Sequence, residues 1–323
     1  MECPFLAGPF GGDSNLKSFF RKRPYIMFIA PGFLLYCIFI IYPIISAAIN
    51  SLYKWNGIGP KTFVGFQNYI ELFTNGELLT QLLNALKNSL IIFILTVLIV
   101  IPLQIVFAYM IYSKTKGHST LQAVIFSPQF ISTPIIVFIF TLLLDSNIGF
   151  FNMLLKKIGL GFLSQPWLGM PSLGIYIVWM MISWAGFGVG MVYFIAAMKM
   201  IPTDSLEAAY LEGAGYWQRL VRIIVPQIKG TILNLVLISY ITAMTIFDFS
   251  YILGGVSGGI DGSVDVMSLF FYRIAFGDNN PLGGNLDENS IGMGTTIAVI
   301  LFFLIVVVSI IQVQLMTRKV EEK

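Results

Sequence analysis

Few residues in this sequence are equipped for chemistry, and their spacing suits gripping better than bond-making. In EAAYLEGAGYWQRLVRIIVP, Glu207 to Pro226, Asp204 stands three residues ahead of Glu207. That spacing fits a capping-box variant in which the aspartate accepts from an early backbone amide and the glutamate reaches back. Gly213 supplies a natural helix C-cap, and Ala208 and Ala209 keep the short helix thin, so that another protein's surface could approach its backbone. A second helix is predicted from about Tyr216, carrying Arg219 and Arg222, with Pro226 closing it. Asp248 is the one acid well inside an apolar block, with Asp145 near the end of another. A carboxylate is expensive in hydrocarbon, so Asp248 is expected to face a cavity or a partner. There it would accept from the hydroxyls of a bound solute beside Trp184, Tyr193 and Tyr251, or satisfy a neighbouring helix. Gly186 and Gly190 form a small-xxx-small pair that lets one apolar helix pack closely on another. His118 is the only histidine and has no second ligand beside it, so no metal site is expected. No G-x-x-x-x-G-K-[ST] run occurs, so the chain has no phosphate cradle of its own. The apolar blocks hold no nucleophile and base, so no catalytic residue is assigned.

The elements that must position these residues belong to a bilayer. The chain is 57% hydrophobic and 11% charged over 323 residues, against about 25% charged in a globular domain. Blocks nearly free of charge run Tyr25 to Ala47, Leu90 to Tyr112, Leu121 to Leu144, Gly174 to Met198, Ile232 to Leu253 and Ile291 to Met316. Each is near the ~20 residues that cross ~30 Å of hydrocarbon. The fold class is an all-α polytopic membrane protein with six transmembrane helices. The first block exceeds the apolar run of a signal peptide and is expected to stay in the membrane.

Six spans put both termini on one side. Thirteen of the nineteen Lys and Arg residues fall on that side and six on the other, so both termini and the loop at 201–230 are expected in the cytoplasm. The net charge of +3 is then a positive-inside pattern and carries no nucleic-acid message. The expected organisation is a cytoplasmic tail (1–24), a membrane domain (25–316) and a second tail (317–323). In FVGFQNYIELF, the spacing of Phe66, Tyr69, Ile70 and Phe73 predicts a short helix on the outer membrane surface. The last outer loop, Gly254 to Ser290, is rich in Gly, Asp and Asn and is expected to be irregular. Cys3 and Cys37 fall in different compartments, so no disulfide is expected.

Glu207-Ala208-Ala209, then Gly213, then Ile223, Val225 and Pro226 resemble the EAA motif of binding-protein-dependent ABC importer permeases, with Val225 where Leu is commoner. The likeness covers most of the chain and points to the carbohydrate-uptake branch, of the maltose, oligosaccharide and glycerol-phosphate type. APGFLLYCIFIIYPIISAAINSLYKW resembles the first span. Asn88-Ser89 and Pro102-Leu103 resemble the second. FSPQFISTPIIVFIFTLLLDSNIGFFNMLL is similar to the third, with Phe140 where relatives often carry Trp. WMMISWAGFGVGMVYFIAAMKMIPTDSLEAA is similar to the run into the motif, and IFDFSYILGG to the fifth span, although Gly255 to Gly259 lacks the proline often found there.

The resemblance implies that the 201–230 loop, between the fourth and fifth spans, is a coupling helix docked on an ABC ATPase subunit. ATP and Mg would be used by that subunit, and no cofactor would be bound by this chain. It also implies a second homologous permease, an extracytoplasmic solute-binding protein and a multi-pass location in the bacterial cell membrane. A sugar or oligosaccharide is the expected solute. A polyamine path would want clustered acids, and an ion-coupled carrier would want paired ionisable groups and broken helices in matching halves.

Overall fold

The computed structural model describes residues 24–277 and 288–321. The first span runs as α1 (Pro24–Tyr36), a π turn at Cys37–Ile41 and α2 (Tyr42–Asn50). It leads into a two-stranded antiparallel hairpin, β1 (Tyr53–Lys54) with β2 (Thr62–Phe63), in the register Tyr53 to Phe63. The surface helix α3 (Gln67–Thr74) follows. Phe66, Ile70 and Phe73 are exposed along it, while Tyr69 turns inward onto the Ser51 hydroxyl at 2.9 Å.

The second span is longer than its apolar block. Helix α4 (Gly76–Leu95), a π turn at Thr96–Val100 and α5 (Ile101–Tyr112) make a continuous run of 37 residues. Its start is set by Asn75, whose Oδ1 accepts from the amides of Glu77 and Leu78 at 3.0 and 3.3 Å. The third span is broken. Helix α6 (His118–Phe126) and a 3-10 turn to Phe130 meet α7 (Thr133–Leu143) at 105°. Pro128 and Pro134 flank extended Ile131 and Ser132, and a proline neither donates an amide nor favours a helical residue before it. A short helix α8 (Phe150–Lys157) precedes the fourth span, α9 (Gly174–Lys199).

Beyond α9 lie α10 (Thr203–Leu211), α11 (Tyr216–Arg219), a π turn at Leu220–Ile224 and α12 (Val225–Gln227). The fifth span is α13 (Lys229–Thr245) and α14 (Asp248–Gly254), interrupted at Ile246 and Phe247. Helix α15 (Met267–Phe276) and the long α16 (Ser290–Glu321) complete the described residues. Among the described residues five helices are long and apolar enough to cross a membrane, and the bent third pair, taken as one span, makes six.

Two expectations change. The 254–290 segment is not irregular throughout its described part, because Met267, Leu269 and Phe270 of α15 are fully buried. The boundary at 316 is not marked by the fold, since α16 winds on to Glu321. Residues 1–23 of the first tail lie outside the described residues.

Each of the three π turns among the described residues ends two positions before a proline: Pro43, Pro102 and Pro226. Inside an α-helix a proline ring collides with the carbonyl four residues back. Widening the preceding turn to i→i+5 bonding, as in the Ile101 amide to the Thr96 carbonyl, moves that carbonyl aside and lets the helix continue.

The packed interior is divided along the spans. One cluster, at the end of the molecule that carries the 203–227 loop, joins Ile105, Ala108 and Tyr109 of α5 to Met191, Phe194 and Met198 of α9 and to Leu220 and Ile224 of the loop. Two others, towards the hairpin end, gather Ile92, Val178 and Val264 and Leu82, Met267 and Met293. The hairpin end is further tied by the second span. Asn84 and Asn88 donate to the Gly262 carbonyl at 2.8 and 3.2 Å, Asn88 donates to the Asp265 carbonyl at 2.9 Å, and the Met267 amide donates to Ser89 Oγ at 3.2 Å. Asp265 is buried and accepts from Arg273 at 2.6 Å. Burial holds its carboxyl pKa above the usual carboxylate range, with Arg273 offsetting only part of that rise.

Candidate functional site

The loop beneath the spans is built to present one short helix. Helix α10 ends in a Schellman arrangement: the Gly213 amide bonds to the Tyr210 carbonyl at 3.1 Å and the Ala214 amide to the Ala209 carbonyl at 3.0 Å. Gly213 sits at φ +79°, in the left-handed region that this closure requires. The C-cap is therefore as expected, whereas the capping box is not present. Helix α10 begins at Thr203, and Asp204 lies inside its first turn without a side-chain cap bond. Its charge faces the positive end of the helix dipole instead. Gln218 does the reaching back, accepting from the Gly215 amide at 2.9 Å to start α11. Pro226 does not close that helix, because the π turn before it carries the winding through to Gln227.

Glu207, Ala208 and Gly213 are exposed, while Ala209 turns into the body. Ile223 is half-buried and Pro226 exposed. An open groove of about 390 Å³ runs along α10 between Leu206, Glu207, Tyr210, Leu211 and Arg219. The Arg219 guanidinium lies over the Tyr210 ring, 5.3 Å from its centroid. Tyr210 and Leu211 are 68% and 86% exposed, large apolar surfaces to leave uncovered at the tip of a loop.

Above this loop, midway along the spans, a half-open cavity of about 430 Å³ is lined by Thr96, Gln104, Gln129, Ser183, Tyr193 and Thr242 among apolar neighbours. None of its lining residues is charged. Gln104 donates to the Phe187 carbonyl at 3.1 Å, and Thr96 and Ser239 bond carbonyls of their own helices. The buried Ser183 hydroxyl has no partner among the described residues, and such a group gains from a ligand that can hydrogen-bond to it.

The four residues expected on a solute path are not gathered here. Tyr193 lines the cavity. Trp184 is one residue beyond Ser183 and packs edge-on against Phe140, with ring centroids 5.8 Å apart. Tyr251 stacks on Phe247 at 4.9 Å and meets Tyr272 edge-on. Asp248 is exposed at the first position of α14, directly after the break in the fifth span, and is not among the lining residues. Sequence reasoning passed over Gln104, Gln129, Ser183 and Thr242. The signal they carry is that they are uncharged hydrogen-bonding residues within apolar runs. Of the two glycines expected to pack closely, Gly190 does, but its companion is Gly188 and not Gly186. A Cβ on Gly186 would meet open space, whereas one on Gly188 would lie 2.6 Å from the Phe126 backbone and one on Gly190 2.5 Å from the Gln104 amide.

Apolar spans around an uncharged polar cavity, with a capped helix projecting from one end, define a helical membrane protein of the permease class. The chain belongs to the family described as binding-protein-dependent transport system inner membrane component, which matches residues 38–321. It is an inner-membrane protein, crossing the bilayer several times. It is 30% identical over 302 residues to the arabinooligosaccharides transport system permease AraP of Bacillus subtilis, covering 92% of this chain and 90% of that one. It is 29% identical over 302 residues to the probable ABC transporter permease YurN of the same organism, covering 93% and 97%. It is also 29% identical over 266 residues to the lactose transport system permease LacF of Rhizobium radiobacter, covering 81% and 86%. In fold it is similar to a chain of a bacterial alginate ABC transporter solved with an alginate pentasaccharide-bound periplasmic protein. That match has a TM-score of 0.73 at 24% identity, over 92% of this chain and 94% of the other.

Proposed function

We propose that this chain is the permease subunit of an ATP-driven ABC importer that moves a sugar or oligosaccharide into the cell by alternating access. The observation that carries the reading is the match along nearly the whole chain to permeases of sugar systems, AraP and LacF among them. The neutral cavity supports it. Hydroxyl-rich solutes are met by amides, hydroxyls and an aromatic face, whereas a polyamine would leave its charges unpaired among Thr96, Gln104, Gln129 and Ser183.

In this reading both termini and the 203–227 loop are cytoplasmic, and the hairpin end faces outward. Helix α10 docks on an ABC ATPase subunit, presenting Glu207, Ala208 and Gly213, while Ala209, Ile223 and Pro226 shape its support. ATP and Mg are used by that subunit, and the chain itself is non-catalytic. A second homologous permease closes the path on the side where Asp248 is exposed, since a carboxylate at that depth is costly against lipid. An extracytoplasmic binding protein delivers the solute to the hairpin end.

The test is purification of the tagged chain from its native host in mild detergent, mass spectrometry of its companions, and uptake of labelled sugars by the reconstituted complex. Recovery of an ATPase subunit and a second permease, with ATP-dependent uptake of a neutral sugar, is expected. A chain that purifies alone and transports in liposomes without ATP would refute the reading.

A further inference from the structure

A second pocket opens at the hairpin end, and its lining differs from that of the midway cavity. It holds about 480 Å³, within the range of small-molecule sites. Thr80 and Asn84 of α4 line it together with Ser257 and Asp261 of the segment before α15, and the paired Asp265 and Arg273 form its floor. Apart from Gly262, every lining residue has a hydrogen-bonding side chain. Arg273 is fixed by three acceptors, donating to the Val256 carbonyl at 3.2 Å, to Gln81 Oε1 at 3.3 Å and to Asp265 Oδ2 at 2.6 Å. Asp265 is 2% exposed, and its Oδ1 has no partner among the described residues, a state that a ligand hydroxyl would relieve. Asn84 spends its amide on the Gly262 carbonyl, which leaves its own Oδ1 to accept. Asp261 is exposed at φ +52°, a left-handed conformation that costs an L residue. It also lines an adjoining cleft of about 230 Å³, which exposed Lys87 and Tyr176 share. The charged residues of the two openings are Lys87, Asp261, Asp265 and Arg273, and their charges sum to zero. One turn along α4 from Asn88, a rise of about 6 Å, Ile92 is buried with Val178 and Val264 and also lines the midway cavity. A single closed apolar layer therefore parts the outer pocket from that cavity.

We propose that this outer pocket is a staging site for a neutral, hydroxyl-rich solute, in which Asp261 and Asn84 accept from solute hydroxyls before the layer around Ile92 opens. This rests on the reading of the chain as a sugar importer. Hydroxyls donate to carboxylate and amide oxygens and accept from a guanidinium, so they suit a lining that mixes both kinds of group. A cation would meet Arg273 and an anion would meet Asp261 and Asp265. Tyr176 adds an exposed aromatic face at the side of the cleft. A protein partner would favour aromatic and apolar surface, and the pocket over Arg273 has none in its lining.

The test is made on the full complex purified through this chain, with Cys3 and Cys37 replaced by Ser and no binding protein present. Thr80→Cys places a thiol at the rim of the pocket, and Ile58→Cys, on the exposed hairpin, is the control. Alkylation by a water-soluble maleimide is timed with lactose, maltotriose, arabinotriose and spermidine, and the sugar that the reconstituted complex imports serves as the probe. That sugar should slow alkylation of Thr80→Cys about fivefold near saturation, with no effect on Ile58→Cys and none from spermidine. Asp261→Gly removes the carboxylate without strain, because glycine tolerates positive φ. It should abolish the protection and raise the KM of uptake about tenfold, the loss of one charge-assisted hydrogen bond, while kcat and affinity for the binding protein stay unchanged. Absence of protection by the imported sugar, or an unchanged KM in Asp261→Gly, would overturn the proposal. So would weakened affinity for the binding protein in that variant with protection intact, which would make the pocket a docking face. If Thr80→Cys fails to assemble, Ser257→Cys takes its place. A native complex that imports no neutral sugar would sink the functional reading itself, whereas ATP-dependent uptake without protection sinks the staging site alone.

Discussion

Replacing Gly213 tests the loop most directly, because the structure separates conformational cost from packing cost at that position. Gly213 has φ +79°, and a Cβ built there meets nothing within 4 Å. Within the chain itself, any penalty must therefore come from placing an L side chain in the left-handed region. That penalty is about 1–2 kcal/mol for an ordinary residue and is greatest for a β-branched one, whereas Asn visits the region readily. At about 2 kcal/mol, Gly213→Val should reduce the population of the Schellman-closed loop roughly thirtyfold relative to its open forms, Gly213→Ala by about fivefold at ~1 kcal/mol, and Gly213→Asn least. The assay is initial uptake rate in membrane vesicles, with recovery of the ATPase subunit and melting of the detergent-solubilised chain measured beside it. Uptake should fall in the order Asn, Ala, Val, while melting of the spans is unchanged. Normal uptake by Gly213→Val would refute the reasoning. An equal loss of thermal closure of the loop in Gly213→Asn and Gly213→Val would also refute it, whereas an equal loss of ATPase recovery alone would mark a clash on the docked face.

Gly188→Ala should destabilise the solubilised chain by about 1–3 kcal/mol, because its Cβ would lie 2.6 Å from the Phe126 backbone, whereas Gly186→Ala, with open space, should leave the melting temperature unchanged. Arg273→Met should cost about 3–5 kcal/mol in chemical denaturation by leaving buried Asp265 without its partner, and adding Asp265→Asn should recover part of that loss. Ser183→Ala should raise the KM for solute without changing the amount of complex recovered, as its unpartnered hydroxyl lines the cavity. Asp248→Asn should leave KM nearly unchanged, because that carboxyl is outside the cavity, and should instead weaken recovery of the second permease.

Much of the fold was legible in the chain because a bilayer imposes a crude rule. Runs near 20 residues without charge must be spans, and the blocks at Tyr25, Gly174 and Ile291 lie within observed helices. The 37-residue second span was read too short because its first half carries exposed Glu77 and Lys87 and the polar Asn84, Asn88 and Ser89, the last three of which bond the 262–267 segment. The break of the third span was hidden because proline signals a kink without giving its angle, here 105°. Gly213 could be read as a cap, since positive φ at a helix end is nearly a glycine signature. The role of Asp204 could not, because whether a side chain caps or sits one turn inside depends on where the chain enters the helix.

By itself the sequence determined the class of protein, the number and order of its apolar runs, the glycine closure of the loop helix and the family of its motif. All of these are local in the chain, set by hydrophobic length, by φ preference or by residues within one turn of each other. Only the tertiary structure decided which polar residues share a cavity, that Asp248 stands outside it, and that the second span is held by the loop below its π turn and by the 262–267 segment above. Those facts depend on how helices far apart in sequence rotate about their axes and approach one another. Packing of the whole set, down to the 2.5 Å that separates a Gly190 Cβ from the Gln104 amide, settles that rotation, and hydropathy along a single helix does not encode it.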